Sequence, residues 1–453
     1  MHFELTKEFI ENLIEIINKK DDKKAAEIMA EMRAADIAEL YDKLNIEQAK
    51  YLFLLLEDRE KAADVLAELD DNDRARFLKV LPDEVIASKF IDHMDSDDAA
   101  DVIADLPDER QEEVLQKIKD IDQAGDIVDL LAYDEDTAGG LMGKEIVTVN
   151  INDDVEHAIA EIRRQVDEVD DIYYVYVVDD DYILKGTISL TKLLLAAKGT
   201  KIKDIYNDDV IYVKADMKAE EVAKLSDKYD LVALPVVDEI GRLLGRITFD
   251  DLVDVMREEA EKDYQMMSGI SEDVEHSDKI WRLIRARLPW LLVGLVGEII
   301  GSKVLSAYEG QLASHAALAF FLPLIAAMGG NSGVQSASIV VQGLANGTIS
   351  MGSTFKKILK ELSVAMVNGL ICAAILFAYN FFFSDSFALT VTVSVALFSV
   401  IIFASLFGTF VPLTLHKLKI DPAIATGPFI TTSNDIFGLI IYMTIGGILF
   451  SLL

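Results

Sequence analysis

The chain has 453 residues, 51% of them hydrophobic, and a formal net charge of −35. That length allows about three domains, and so large an acid excess excludes a nucleic-acid binder, which needs basic patches against phosphate. The charge is unevenly spread: residues 281–453 hold six acids and nine bases, which is +3, so residues 1–280 carry −38. A very acidic front is thus joined to an apolar back, and acids at that density suit solubility or cation binding. The one cysteine, Cys372, lies in an apolar stretch and can form neither an internal disulfide nor a zinc site. The N-terminus, MHFELTKEFIENLIEI, spreads acids through its first turns and has no apolar h-region, so it is not expected to be a signal peptide. The front is expected in the cytoplasm.

Residues 1–132 show leucine-rich amphipathic spacing and are expected to be helical. A weak repeat runs through them: Ala35–Leu40, Ala63–Leu69 and Ala100–Leu106 each combine Ala-Asp with a downstream leucine. Stacked helical hairpins forming a small solenoid are the expected result. Residues 133–256 change character. Strand-like runs at Ile172–Val178 and Leu231–Val237 are each followed by an acid and then by Gly-x-Ile-Ser/Thr, at Gly186–Ser189 and Gly245–Thr248. This pattern, repeated after 59 residues, resembles a tandem pair of CBS modules, small β-α units that pack together as one domain. Such pairs often bind adenosine nucleotides. The motif ends in an acid in the second copy, Asp251, whereas Lys192 stands at the ribose-binding position of the first, so nucleotide binding is left open. Residues 257–280 then connect this part to the apolar half.

Five apolar stretches are long enough to cross a bilayer, which takes about 20 residues each: 288–308, 312–344, 362–383, 389–415 and 422–450. The second is long for one span, and Gly329-Gly330-Asn331-Ser332-Gly333 is expected to kink or unwind it. Bases in the short loops set the orientation. With five spans, Arg282, Arg285, Arg287, Lys356, Lys357, Lys360, Lys417 and Lys419 all fall on one side, and only Lys303 on the other. This predicts a multi-pass protein of the inner (cell) membrane with a cytoplasmic N-terminus and its C-terminus outside. Asp421-Pro422 reads as the start of the fifth helix, an acid at the cap followed by proline at the first helical position.

An acid inside a span is costly and points to function. Two occur, Glu298 and Asp435. Helical spacing puts Thr431, Asp435 and Gly438 on one stripe, the glycine leaving room for a large hydrated ligand. Asn331, Gln335, Ser338 and Gln342 recur at the spacing of one polar face on the second helix. Small and polar residues also join helices in lipid, but no base lies mid-membrane to pair with Asp435. For Glu298 the sequence leaves open a vestibule lining, a pairing with Lys303 or protonation. A carboxylate with amide and hydroxyl neighbours and no His or Cys suits a hard cation. Magnesium, which keeps several of its waters, fits one carboxylate plus amide and carbonyl oxygens. Manganese and calcium are not separated from it by sequence.

Pro323–Gln335, Asp421–Gly438 and Arg287–Leu292 together resemble the MgtE family of magnesium channels over essentially the whole chain and in the same domain order. The resemblance implies an all-α helical-repeat cytoplasmic domain (1–132), an α/β tandem CBS domain (133–256), a connecting plug helix that can occlude the pore (257–280) and a five-helix transmembrane domain (281–453). It implies a homodimer with Mg2+ passing along the two-fold axis between helices two and five. Asp435 would be the pore carboxylate, with Asn331, Gln335 and Thr431 beside it. It also implies cytoplasmic Mg2+ held between facing acids, of which Asp95, Glu220, Asp230, Asp251, Asp254 and Glu259 match by motif. Lys262 stands where relatives can have an acid. The expected activity is Mg2+ influx, shut off when internal Mg2+ bridges these acids. A secondary transporter of divalent cations coupled to protons or sodium is the alternative, and a nucleotide-reading sensor with the helices as anchor is a third. No Gly-rich phosphate loop, nucleophile elbow or His cluster suggests an enzyme.

Overall fold

The computed structural model describes residues 5–165, 172–272, 274, 278–345, 348–349 and 354–452. Residues 273 and 275–277 of the expected connecting segment lie outside the described residues. The chain divides into two compact units, Met1–Glu258 and Glu259–Leu453.

The first unit opens with ten short helices, α1 (Lys7–Asn18), α2 (Asp22–Glu31), α3 (Ala34–Ala38), α4 (Ile46–Leu55), α5 (Arg59–Ala67), α6 (Asp71–Leu78), α7 (Asp83–Val85), α8 (Ser96–Ala104), α9 (Asp108–Leu115) and α10 (Ile121–Leu130). Several begin at polar caps. Thr6, Asp21, Asn45, Asp58 and Asp120 accept backbone N–H bonds in the first turn, and Asn45 with Gln48 forms a full capping box. The weak sequence repeat has a structural meaning: its three copies fall on α3, α5 and α8, which pack one on the next. Phe53, Phe77 and Phe90 fill the core between them, Phe53 edge-on to Phe77 with ring centres 4.8 Å apart.

Two three-stranded sheets follow. In the first, β1 (Thr148–Asn150) runs parallel to β2 (Val175–Val178), which pairs antiparallel with β3 (Leu184–Ile188). The second repeats this with β4 (Val213–Lys214), β5 (Ala233–Val237) and β6 (Leu243–Thr248). Both antiparallel pairs shift register at the same place, Val177/Val178 and Val236/Val237. Helices α11 (Val155–Gln165) and α12 (Leu190–Leu195) flank the first sheet in sequence; α13 (Ala219–Tyr229) and α14 (Phe249–Met267) flank the second. The segment between the helices and β1 does not join the first sheet. Ala138 and Gly139 donate to Met217 and Ala215, and Gly143 and Arg246 exchange backbone hydrogen bonds of 2.8 and 2.9 Å. This strap is thus stitched to the second module. The apolar core is continuous to match, running from Leu13 through Leu130 and Met142 to Val236, Ile247 and Val255.

The second unit holds α15 (Ile280–Ala307), α16 (Glu309–Ser314), α17 (Leu322–Ala345), α18 (Thr354–Phe383), α19 (Phe387–Lys417) and α20 (Pro428–Leu452). Among the described residues, five helices are long and apolar enough to cross a membrane. Helix α19 is the centre of the bundle: it packs on α17, α18 and α20 and buries Val393, Ala396, Val400, Ala404 and Gly408. Helix α15 instead leaves Leu291, Leu292, Leu295 and Val296 exposed, as suits a face turned to lipid.

Two expectations are corrected. Gly329, Gly330 and Gly333 do not unwind the second span; α17 is helical through all three. The break lies upstream, at His315 and the 3₁₀ turn Ala316–Phe321. The glycines serve close packing: a Cβ at Gly333 would fall 1.9 Å from the Asn434 amide, and one at Gly408 would fall 2.2 Å from the Gly333 carbonyl. Asp421-Pro422 does start a helical turn, Asp421 accepting from Ala423 N–H, but that turn is a 3₁₀ piece ending at Ala425. The long helix begins at Pro428, a second proline suited to a helix start. Gly408→Ala should cost about 1–3 kcal/mol, because backbone must yield to it. Its thermal unfolding in detergent should shift down by several degrees, and an unchanged transition would show the α17–α19 contact to be looser than described.

Candidate functional site

The four residues expected at the ion path come together. Asn331, Gln335, Thr431 and Asp435 line one cavity of about 310 Å³ with Ala326, Ala327, Gly330 and Val334. Helix α17 provides one wall and α20 the other. Gly330 permits the approach, since a Cβ there would already lie 3.3 Å from the Thr431 methyl and 3.8 Å from the Asp435 carboxyl. Asn331, Gln335 and Gln342 are exposed on the surface of the single chain. Ser338 and Gln342 continue the stripe but do not line the cavity. Nor does Gly438, which is buried against Val400 of α19, 3.4 Å from a built Cβ; it serves packing rather than ligand space. The opposite flank of α17 is fixed by polar contacts: Ser332 to Ser405 at 2.7 Å and Ser336 to the Glu361 carboxylate at 2.6 Å. Glu298 of α15 stands within hydrogen-bonding contact of Asp435.

A second group lies in the first unit. Among the described residues, Asp95, Asp97 and Glu145 place carboxylate oxygens within 4.8 Å of one another. Asp95 occupies the N-cap position of α8, so the Asp95-Ser-Asp97-Asp98 run is folded into the start of that helix. Glu145 comes from the strap. Ser96 holds it, donating from N–H at 2.9 Å and from Oγ at 3.0 Å. Gly143 makes room, because a Cβ there would sit 2.9 Å from Glu145 and 3.0 Å from Asp97. Asp251, in the first turn of α14, is fixed by Thr248, whose N–H and Oγ donate at 2.9 and 2.6 Å.

The crowding has an electrostatic signature. Burial, then the charges of Asp251, Asp98, Glu145 and Asp95, push the Asp97 carboxyl well above the usual range. Asp98 is raised to about 7, by the surrounding protein first and the Asp251 charge next. Asp251 is raised to about 6, chiefly by burial, although its bonds from Thr248 pull the other way. Glu145 is raised too, by burial and by Asp95. Asp95, Asp97 and Glu145, with Asp98 and Asp251 beside them, offer carboxylate oxygens of the kind a hard cation takes.

Of the six acids expected to hold cytoplasmic metal, only Asp95 and Asp251 belong to this crowd. Asp254 is exposed one turn along α14, where its charge helps to raise Glu68. Glu220 pairs with Lys224, and Asp230 ends α13 in a left-handed conformation, φ 53°. Glu259 pairs with Lys262 at 3.0 Å. Sequence reasoning passed over Asp97, Asp98 and Glu145. The acidic run carried a signal for the first two. Glu145 had none beyond the nearby glycine, because its partner lies 49 positions away.

Comparison with known proteins identifies the domains. Family models match residues 322–445 (MgtE, divalent cation transporter), 32–136 (MgtE intracellular N domain) and 138–199 with 202–258 (CBS domain). The magnesium transporter MgtE of Thermus thermophilus is 36% identical over 325 residues, 71% of each chain. That of Bacillus subtilis is 34% identical over 316 residues, 70% of each. A crystal structure of the cytosolic domain of the Mg2+ channel MgtE in complex with ATP is similar over 54% of this chain and 99% of its own, with 35% identity and a TM-score of 0.51. With its N domain, tandem CBS modules and five membrane-length helices, this chain is a multi-pass membrane protein that belongs to the MgtE family of magnesium transporters.

Proposed function

We propose that the chain is a magnesium channel that admits Mg2+ past Asp435 and closes when internal Mg2+ binds its acidic front. The observation that carries this reading is the cavity uniting Asp435, Thr431, Asn331 and Gln335 between two membrane helices. One carboxylate, two amides and a hydroxyl can hold a Mg2+ ion that keeps much of its water. The exposed amides of α17 would be costly against lipid. A second copy covering that face makes a homodimer, doubles the carboxylates and puts the ion path on the two-fold axis. The bases flanking the spans support a cytoplasmic N-terminus and acidic unit.

Closure follows from the crowded acids. Without Mg2+ they repel; with it they are bridged, and α8, the strap and α14 are held together. Asp95, Asp97, Glu145 and Asp251 form the crowded group, and Glu220, Asp230, Asp254 and Glu259 are the remaining candidate acids. A site that binds about tenfold tighter in the closed state adds about 1.4 kcal/mol. About four such sites shift the equilibrium about 10⁴-fold, enough to switch a two-state channel. The plug role of residues 257–280, which begin within α14, rests on the same family likeness. The ATP-bound relative makes nucleotide a second candidate ligand, with Lys192 standing against a ribose contact in the first module.

Planar-bilayer recording of the full chain tests this. Unitary Mg2+ currents are expected to shut as Mg2+ on the side of the acidic unit rises into the millimolar range. The contact between Glu298 and Asp435 favours a second reading, a carrier of divalent cations coupled to another cation. Flux without unitary currents would select the carrier.

A further inference from the structure

Helix α15 carries an acid, Glu298, that meets Asp435 without itself lining the cavity. It crosses α20 on glycines: a Cβ at Gly297 would fall 1.8 Å from the Thr432 methyl, at Gly294 4.0 Å from the Thr432 hydroxyl, and at Gly301 3.7 Å from Leu439. On α15, Glu298 lies one turn beyond Gly294 and one turn before Gly301. On α20, Asp435 lies one turn from both Thr432 and Leu439. Backbones drawn this close hold the two carboxyls in hydrogen-bonding contact. Among the described residues neither acid has a basic partner. Two such carboxyls inside an apolar bundle repel and are poorly solvated unless a cation serves both.

We propose that Glu298 is a second carboxylate of the transport site, setting its charge at two acids per protomer and so its preference for divalent over monovalent cations. The inference rests on Asp435 being in the ion path. A doubled negative charge attracts a divalent cation more strongly than a monovalent one, because the Coulomb energy scales with the ion's charge. The glycines of α15 have a role in this: they place the acid, and a bulkier helix would hold it away.

The test uses the full chain in vesicles, with Mg2+ and K+ as the probe ions. Glu298→Gln keeps the shape and a hydrogen-bonding amide but removes the charge. The Mg2+ needed for half-maximal flux should rise about tenfold, and K+ leak at low Mg2+ should increase by a similar factor. Glu298→Asp keeps the charge and should stay within about threefold of the parent on both measures. A Glu298→Gln protein with the parent's Mg2+ dependence and Mg2+/K+ ratio overturns the proposal. So does a Glu298→Asp protein as impaired as Glu298→Gln, which would show that shape and not charge is at work. Asp435→Asn separates the two levels. If it transports like the parent, the ion path itself is misplaced; if it fails while Glu298→Gln is silent, only the role of Glu298 is lost.

Discussion

Asp435→Ala should reduce Mg2+ uptake at least about 100-fold, a loss of about 2.7 kcal/mol in the interaction with the ion. The expectation follows from the wall it occupies. The other polar groups lining the cavity are neutral, so the alanine leaves two amides, a hydroxyl and only the adjoining Glu298 to replace ion hydration inside an apolar bundle. Asp435→Asn should fail nearly as badly, since it keeps shape and loses charge. Asp435→Glu should retain part of the flux. Growth of a magnesium-auxotrophic host and radiometric or fluorescent flux in vesicles both report the result. Uptake by Asp435→Ala near the parent level would remove this residue from the path.

The acidic unit should become less stable as pH rises, in the absence of Mg2+. Asp98, raised to about 7, and Asp251, raised to about 6, hold protons in the folded state at pH values where an unfolded chain, with carboxyls near 4, has lost them. Asp97 and Glu145 are shifted in the same direction. The folded state therefore binds more protons between about pH 4 and pH 7, and stability falls as pH climbs through that window. Below it both states are protonated, and above it both are ionised, so the slope flattens. For residues 1–258 a fall in melting temperature of roughly 5–10 °C between pH 5 and pH 8 is expected. Millimolar Mg2+ at pH 8 should reverse most of it by taking the place of the protons, and Asp97→Asn should blunt both responses. A melting temperature that rises with pH, or that ignores Mg2+, would contradict the crowding of these acids.

The membrane half was largely legible because lipid leaves a chain few options. Runs of twenty apolar residues, bases gathered almost wholly on one side and an acid stranded mid-span each have a narrow physical meaning. Asp435, Thr431, Asn331 and Gln335 could be read as two facing stripes, and the cavity joins them. The glycines misled because glycine means two things in a helix: a weak point or a close neighbour. Only Asn434 and the Gly333–Gly408 approach decide for the second. Gly438 was misassigned for the same reason, its open side being taken by Val400. In the front, acids are so common that matching by position diluted the signal. What distinguishes Asp97 and Glu145 from Glu220 is not residue type but the fold bringing a helix start and a strap together.

That strap bears on how the protein is made. The bridge between Gly143 and Arg246 closes one edge of the second sheet with residues translated before the whole first module. The strap therefore leaves the ribosome roughly a hundred residues ahead of the edge it will cover, and must wait while the first module folds between them. Fragments beginning after Gly143 would expose that edge and invite strand pairing between copies, whereas fragments that keep 134–143 would leave it covered. The boundary drawn by composition near residue 132 is, for a protein chemist, a safer place to cut than the interval just before β1.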